Sequence, residues 1–190
     1  SASVPPKGSA TFTASGGIGT GFTWSLATNA SGGSIDASTG AYTAGATGSV
    51  ADVVKVTDSL GNAGTTSVTV TAGVTVSPAV QTVTTGATTS FKASGGSGTG
   101  FTFSLAMNAS RGSIDAVNGN YRAGTQTGTD VVEATDSLGN VGTAQVTVVA
   151  APSGGGCGYD GGGGLWLSLL ALAAVRWLRA LSRTKDHATA

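Results

Sequence analysis

Along the first 150 positions the dominant pattern is a strict alternation of small apolar and polar residues in short runs. DVVKVTD from Asp52 and TTSVTV from Thr65 place valine at every second position, the spacing of a strand with one face buried and one solvated. Each run is bounded by Gly, Asn, Asp or Ser, as strands joined by tight turns are. The pattern predicts strands around 10–15, 22–26, 34–37, 52–58 and 65–71, and no run carries helical spacing. Alternation sends Phe12, Trp24, Leu26, Ile35, Tyr42, Val54, Val56, Val68 and Val70 toward a core. The SLGN segment at Ser59–Asn62 supplies the Gly and Asn that a hairpin needs where φ turns positive.

The same pattern then returns. FTASGGIGTGFTWSLATNASGGSIDASTGAYTAG from Phe12 reappears as FKASGGSGTGFTFSLAMNASRGSIDAVNGNYRAG from Phe91. DVVKVTDSLGNAGTTSVTV from Asp52 reappears as DVVEATDSLGNVGTAQVTV from Asp130, so the period is about 80 residues. That length suits a small independent domain better than a solenoid unit. The second core set is Phe91, Phe103, Leu105, Ile114, Tyr121, Val132, Ala134, Val146 and Val148. Lys55 is replaced by Glu133, a change of sign that a solvated face tolerates, which supports the register. Copy two is preceded by the β-rich GVTVSPAVQTV and copy one only by SASVPPKG, so copy one is expected to have lost its opening strand to truncation.

Composition changes this picture little. Charged residues are 9% of the chain and glycine accounts for 32 residues, which alone suggests disorder, but the alternating Val and Thr with spaced aromatics argue for packed sheet. Net charge is zero, and no stretch of the repeats concentrates Lys or Arg, so a nucleic-acid partner is excluded. The single cysteine, Cys157, rules out an internal disulfide. The chain opens at Ser1 without a charged and apolar leader, and any secretion signal is expected in sequence outside it.

Candidate chemistry is sparse. GGIGTG and GGSGTG mimic a dinucleotide-binding glycine loop, but a strand resumes after each at Phe22 and Phe101 where that chemistry needs a helix. Asp36, Asp52 and Asp58, with Asp115, Asp130 and Asp136, raise the question of calcium. They are single residues at strand ends and read mainly as turn and strand-end caps, with a weak site at Asp58 and Asp136 as the residual possibility. Asn29 and Asn108 stand in N-x-S sequons. His187 has no nucleophile or acid arranged around it. No catalytic, cofactor-binding or metal-ligating residue is therefore assigned, and no cofactor is expected.

After Val149 the sequence shifts to APSGGGCGYDGGGG, a Gly-rich linker that cannot bury a core. The apolar run 165–175 continues to Leu181 with Arg176 and Arg179 embedded. As a helix it reaches about 25 Å, against a bilayer core of about 30 Å. Trp166, Trp177 and snorkelling arginines make up the difference. The basic residues Arg176, Arg179, Arg183 and Lys185 follow the run, so the repeats are expected outside and the C-terminus in the cytoplasm.

GGxGTGFTWSL, GGSIDASTGAYTAG and the VTDSLGN hairpin together resemble the bacterial Ig-like or cadherin-like repeats found in tandem in large exported surface proteins. The resemblance implies an all-β chain of two tandem Ig-like β-sandwich domains, followed by the linker and one C-terminal transmembrane helix. The expected domains are 1–72, 73–150, the linker 151–164, the helix 165–181 and a polar tail 182–190. The GGGCG around Cys157, the apolar run and Arg176, Arg179 and Arg183 resemble the MYXO-CTERM sorting signals. That resemblance implies a membrane protease that removes the helix and a lipid on Cys157; the extension TKDHATA departs from the pattern, and a permanent single-pass anchor needs no processing. The function these features imply is a non-catalytic cell-surface stalk or adhesion module with the membrane as partner. Two alternatives stay open: a module that binds a surface carbohydrate or protein, and a spacer for an upstream enzyme.

Overall fold

The computed structural model describes residues 1–17 and 21–152, and these contain strands and turns but no helix. Copy one forms β1 (Ala2–Val4), β2 (Ser9–Thr11), β3 (Thr23–Thr28), β4 (Ser34–Ile35), β5 (Ala41–Thr43), β6 (Val50–Thr57) and β7 (Ala63–Val70). Copy two forms β8 (Thr75–Ser77), β9 (Val80–Thr84), β10 (Thr88–Ser90), β11 (Lys92–Ser94), β12 (Thr102–Asn108), β13 (Ser113–Ile114), β14 (Asn120–Arg122), β15 (Gly128–Thr135) and β16 (Val141–Val149).

Each copy builds the same two layers. One is a four-stranded sheet ordered β1-β7-β6-β3, matched by β9-β16-β15-β12. Facing it is a three-stranded sheet ordered β2-β5-β4, matched by β10-β14-β13. The short first strand of each large sheet runs parallel to its neighbour, Val4 opposite Val70 and Val83 opposite Val148. All other pairings are antiparallel. β3 and β12 carry a register shift at the same place, after Leu26 and after Leu105.

The inward faces close two apolar clusters. Trp24, Tyr42, Val54, Val68 and Val70 are buried in the first, with Phe12, Leu26, Ile35 and Val56 packed against it. Phe91, Phe103, Tyr121, Val132, Ala134, Val146 and Val148 are buried in the second, with Leu105 and Ile114 against it. These are the positions that alternation sends inward. Phe91 meets Tyr121 edge-on at 6.2 Å, and Phe12 meets Tyr42 likewise at 6.3 Å. Lys55 stands between Val54 and Val56, paired across to Ser25 and Thr65, on the opposite face of the sheet.

The SLGN segment closes the β6–β7 hairpin at Ser59–Asn62 and the β15–β16 hairpin at Ser137–Asn140, and only its glycine takes the left-handed conformation, φ 90° at Gly61 and 73° at Gly139. The expected strand 10–15 is two pieces in copy two, where the chain passes Phe91 and changes partner from β14 to β8. In copy one only Ser9–Thr11 pairs, and residues 13–15 pair with no strand among the described residues. Both copies lie in one compact unit, Ser1–Pro152. The Gly-rich linker, Cys157, the apolar run and Arg176, Arg179 and Arg183 fall outside the described residues.

Candidate functional site

Six aspartates carry the acidic chemistry of the repeats beside Glu133, and each sits where the local sequence gives its oxygens a donor. Asp36 follows β4 and folds back on the next turn, accepting from Ser38 N at 2.9 Å, Ser38 Oγ at 2.7 Å and Thr39 N at 2.8 Å. Asp115 does the same with Val117 N and Asn118 N. These donors hold the Asp36 carboxyl well below the usual carboxylate range and lower that of Asp115.

Asp58 and Asp136 organise the hairpins. Asp58 accepts from Leu60 N, Asn62 N and Asn62 Nδ2 at 2.9–3.0 Å. Asp136 makes the same three bonds and accepts from Ser97 N at 2.6 Å, which ties the Gly-rich loop of copy two to its hairpin. Burial raises the Asp136 pKa, but the donors from Ser97, Asn140 and Leu138 outweigh it and leave the carboxyl strongly acidic.

Asp52 and Asp130 depart from the expected strand-end role. Each lies inside a long strand with its side chain in the core and 0% exposed. Asp52 Oδ1 accepts from Ser31 N at 2.9 Å, while Oδ2 accepts from Ser31 Oγ and Tyr42 OH, both at 2.5 Å. Ser31 Oγ also accepts from Gly45 N at 3.0 Å. In copy two Asp130 accepts from Ser110 N at 2.8 Å, Ser110 Oγ at 2.5 Å and Tyr121 OH at 2.5 Å. Burial pushes these carboxyls up, yet the serine and tyrosine donors win and their pKa values fall. The tyrosines respond in the opposite sense: burial first, then the adjacent carboxylate, pushes Tyr42 and Tyr121 up to about 12.

This arrangement also accounts for the paired N-x-S sequons. Asn29 Oδ1 accepts from Gly33 N at 2.7 Å and Asn29 Nδ2 donates to Gly33 O at 2.9 Å, so its amide is a turn clamp; Asn108 repeats this with Gly112. The serine two residues later is the one that meets Asp52 or Asp130. In both copies the two ends of the pattern thus serve folding. No buried side-chain oxygen or nitrogen among the described residues lacks a partner. Among the same residues no three His, Cys, Asp or Glu side chains converge as metal ligands. Asp58 and Asp136 spend their oxygens on amide donors in the manner of turn caps.

The junction between copies is the other structured polar site. Asn140 Nδ2 bridges Asp136 Oδ2 and Pro6 O, both at 2.9 Å, and the asparagine is buried. Lys7 Nζ donates to Gly139 O at 2.5 Å, and Gly96 N donates to Ala72 O at 3.0 Å. Copy one therefore holds the hairpin and the Gly-rich loop of copy two through main-chain oxygens. Pro6 and Lys7 lie in a segment without alternation or repeat, so this contact has no local signature.

Sheet order and burial define the described chain as a tandem all-β repeat protein whose aspartates hold turns, hairpins and core. No family model and no curated protein matches it. Among solved structures it is similar to Drosophila N-cadherin EC1-3, at 13% identity over 69% of this chain and 56% of that one, TM-score 0.35. It is also similar to a C-terminal 282-residue fragment of intimin in complex with the intimin-binding domain of the translocated intimin receptor, at 20% identity over 69% of this chain and 51% of that one, TM-score 0.38. A third is mouse Cadherin-23 EC22-24, at 17% identity over 80% of this chain and 62% of that one, TM-score 0.34. The chain spans about half the length of the solved structures it matches. The strand pairing above, and not these likenesses, defines the fold.

Proposed function

We propose that the chain is a non-catalytic stalk of Ig-like repeats, 1–72 and 73–150, displayed at the cell surface and tethered by its C-terminal tail. The observation that carries the reading is the junction: the main chain of copy one at Pro6 and Ala72 is hydrogen-bonded to copy two, with Asn140 buried between them. A module joined by buried hydrogen bonds resists bending at its joint, which is what a spacer requires. The near-identical copies support the same reading, because each repeats the same internal architecture down to the Ser, Tyr and Asp of its core. In this proposal the run 165–181 spans the membrane or serves as a sorting signal that a membrane protease removes, with Cys157 as the lipid-bearing residue. Arg176, Arg179 and Arg183 set the orientation, leaving the repeats outside.

The reading is tested by labelling intact cells with an amine-reactive reagent that does not cross membranes and mapping the modified lysines. Lys55 and Lys92 are expected to be labelled while Lys185 stays unmodified. Labelling that appears only after lysis contradicts surface display.

A further inference from the structure

Three differences between the copies fall together on one face of copy two. Gly32, Ala41 and Thr43 of copy one are replaced by Arg111, Asn120 and Arg122. These two arginines are the only ones among the described residues. Asn120 and Arg122 are exposed on β14 on either side of Tyr121, whose side chain is buried, so both face away from the core. Thr88 and Ser113 flank Arg122 across the sheet, and Ser90 lies opposite Asn120. Arg111 precedes β13 and, with Arg122, lines an open cavity of about 260 Å³ together with Gly112, Gly124, Ser113 and Thr125. A second trough of about 470 Å³ runs over Thr88, Ser90 and Asn120 and shares Arg122, so the two adjoin at that side chain.

Among the described residues neither guanidinium has a hydrogen-bond or ion-pair partner. No strand of this sheet carries an acidic residue, and Asp115, just beyond β13, is held by Val117 N and Asn118 N. Arg111 also holds φ 61°, a left-handed backbone that disfavours a side chain and that copy one gives to Gly32 at 76°. A strained residue without an internal partner, set beside a second unpaired cation in one cavity, is arranged for something outside the chain.

We propose that this face of copy two binds an acidic saccharide, with a carboxylate or sulfate group held between Arg111 and Arg122 and sugar hydroxyls along Thr88, Ser90 and Asn120. A guanidinium fork meets such oxyanions through two parallel hydrogen bonds, and two forks in one cavity hold the anion from two sides. The adjoining trough presents hydroxyls and an amide, which exchange hydrogen bonds with hydroxyls. Neither hollow is lined by an exposed large apolar side chain of the kind that anchors a protein partner or a lipid chain. Copy one, with Gly32 and Thr43, lacks both cations, so the site belongs to copy two and goes beyond the stalk reading without resting on surface display.

The test uses the full chain with oligomers of polygalacturonate, which carry carboxylates, dextran sulfate, which carries sulfates, and neutral dextran. Binding is followed by calorimetry and by amide shifts of Arg111, Ser113 and Arg122. Saturable binding to at least one anionic saccharide and none to neutral dextran is expected, weakening as salt rises. Arg111→Gly and Arg122→Thr restore the residues of copy one, and each should weaken binding about tenfold or more. The Arg111→Gly chain should melt no lower than the parent, so its loss of binding is not a loss of fold. Absence of binding to both anionic saccharides, or equal binding by the double variant, overturns the proposal. So does arginine-dependent binding to phosphatidylglycerol vesicles without binding to either saccharide, since the ligand is then a lipid headgroup. None of these results bears on where the protein resides, so the surface reading stands or falls separately.

Discussion

Removing the acceptor of a buried hydrogen-bond network should cost far more than removing one donor, and Asp130 allows the two to be compared. Its carboxylate takes three hydrogen bonds, from Ser110 N, Ser110 Oγ and Tyr121 OH, inside a core where Ser110, Tyr121 and Asp130 are all buried. Tyr121→Phe deletes one bond to a charged group, worth about 1.5–3 kcal/mol. At about 4–8 °C per kcal/mol for a domain of this size, copy two should melt roughly 6–24 °C lower. Asp130→Ala leaves three donors buried without an acceptor, a loss of about 3–5 kcal/mol. That approaches the whole stability of a small domain, about 0.05–0.15 kcal/mol per residue. Adding Tyr121→Phe to Asp130→Ala removes one orphaned hydroxyl, so the double variant should be less destabilised than the sum, with a coupling of about 1 kcal/mol or more. Differential scanning calorimetry of the four chains reads this cycle. Additive effects, or an Asp130→Ala chain that melts with the parent, would refute a structural role for the carboxylate.

Three other outcomes follow from the same geometry. Tyr42 and Tyr121 keep their protons up to a pKa of about 12 in the folded chain against 10.0 when unfolded, so their contribution is intact below pH 10 and is lost as pH rises toward 12; alkaline unfolding by circular dichroism should fall in that window and weaken in a Tyr42→Phe, Tyr121→Phe chain. Asp52, Asp130 and Asp136 have folded pKa values below 3.8, so their contribution is present above pH 3.8 and is lost as pH falls below it; melting temperature should hold from pH 7 to about pH 5 and drop beneath pH 4. Arg111 holds φ 61° where copy one has Gly32 at 76°, so Arg111→Gly should raise the stability of copy two by up to about 1 kcal/mol, read in denaturant titration.

Much of the fold was legible because its signal is local. Val54, Val68 and Val132 are buried by the same alternation that marks them in the sequence, and the repeat carried the assignment from one copy to the other. Asp52 was equally legible in principle. It shares the inward face of β6 with Val54, two residues on, so strict alternation already placed a carboxylate in the core. Its acceptors' donors, Ser31 and Tyr42, lie ten and more residues away and were hidden for that reason. The parallel strands β1 and β9 are three and five residues long and pair with the far end of each copy, beyond any local pattern.

The claim of a tethered surface protein is tested most directly by mass spectrometry of the C-terminal peptide from the native membrane fraction. The account predicts a product ending near Cys157 with added acyl mass. Recovery of the repeats in the soluble fraction with Cys157 unmodified and the chain intact to Ala190 would contradict it.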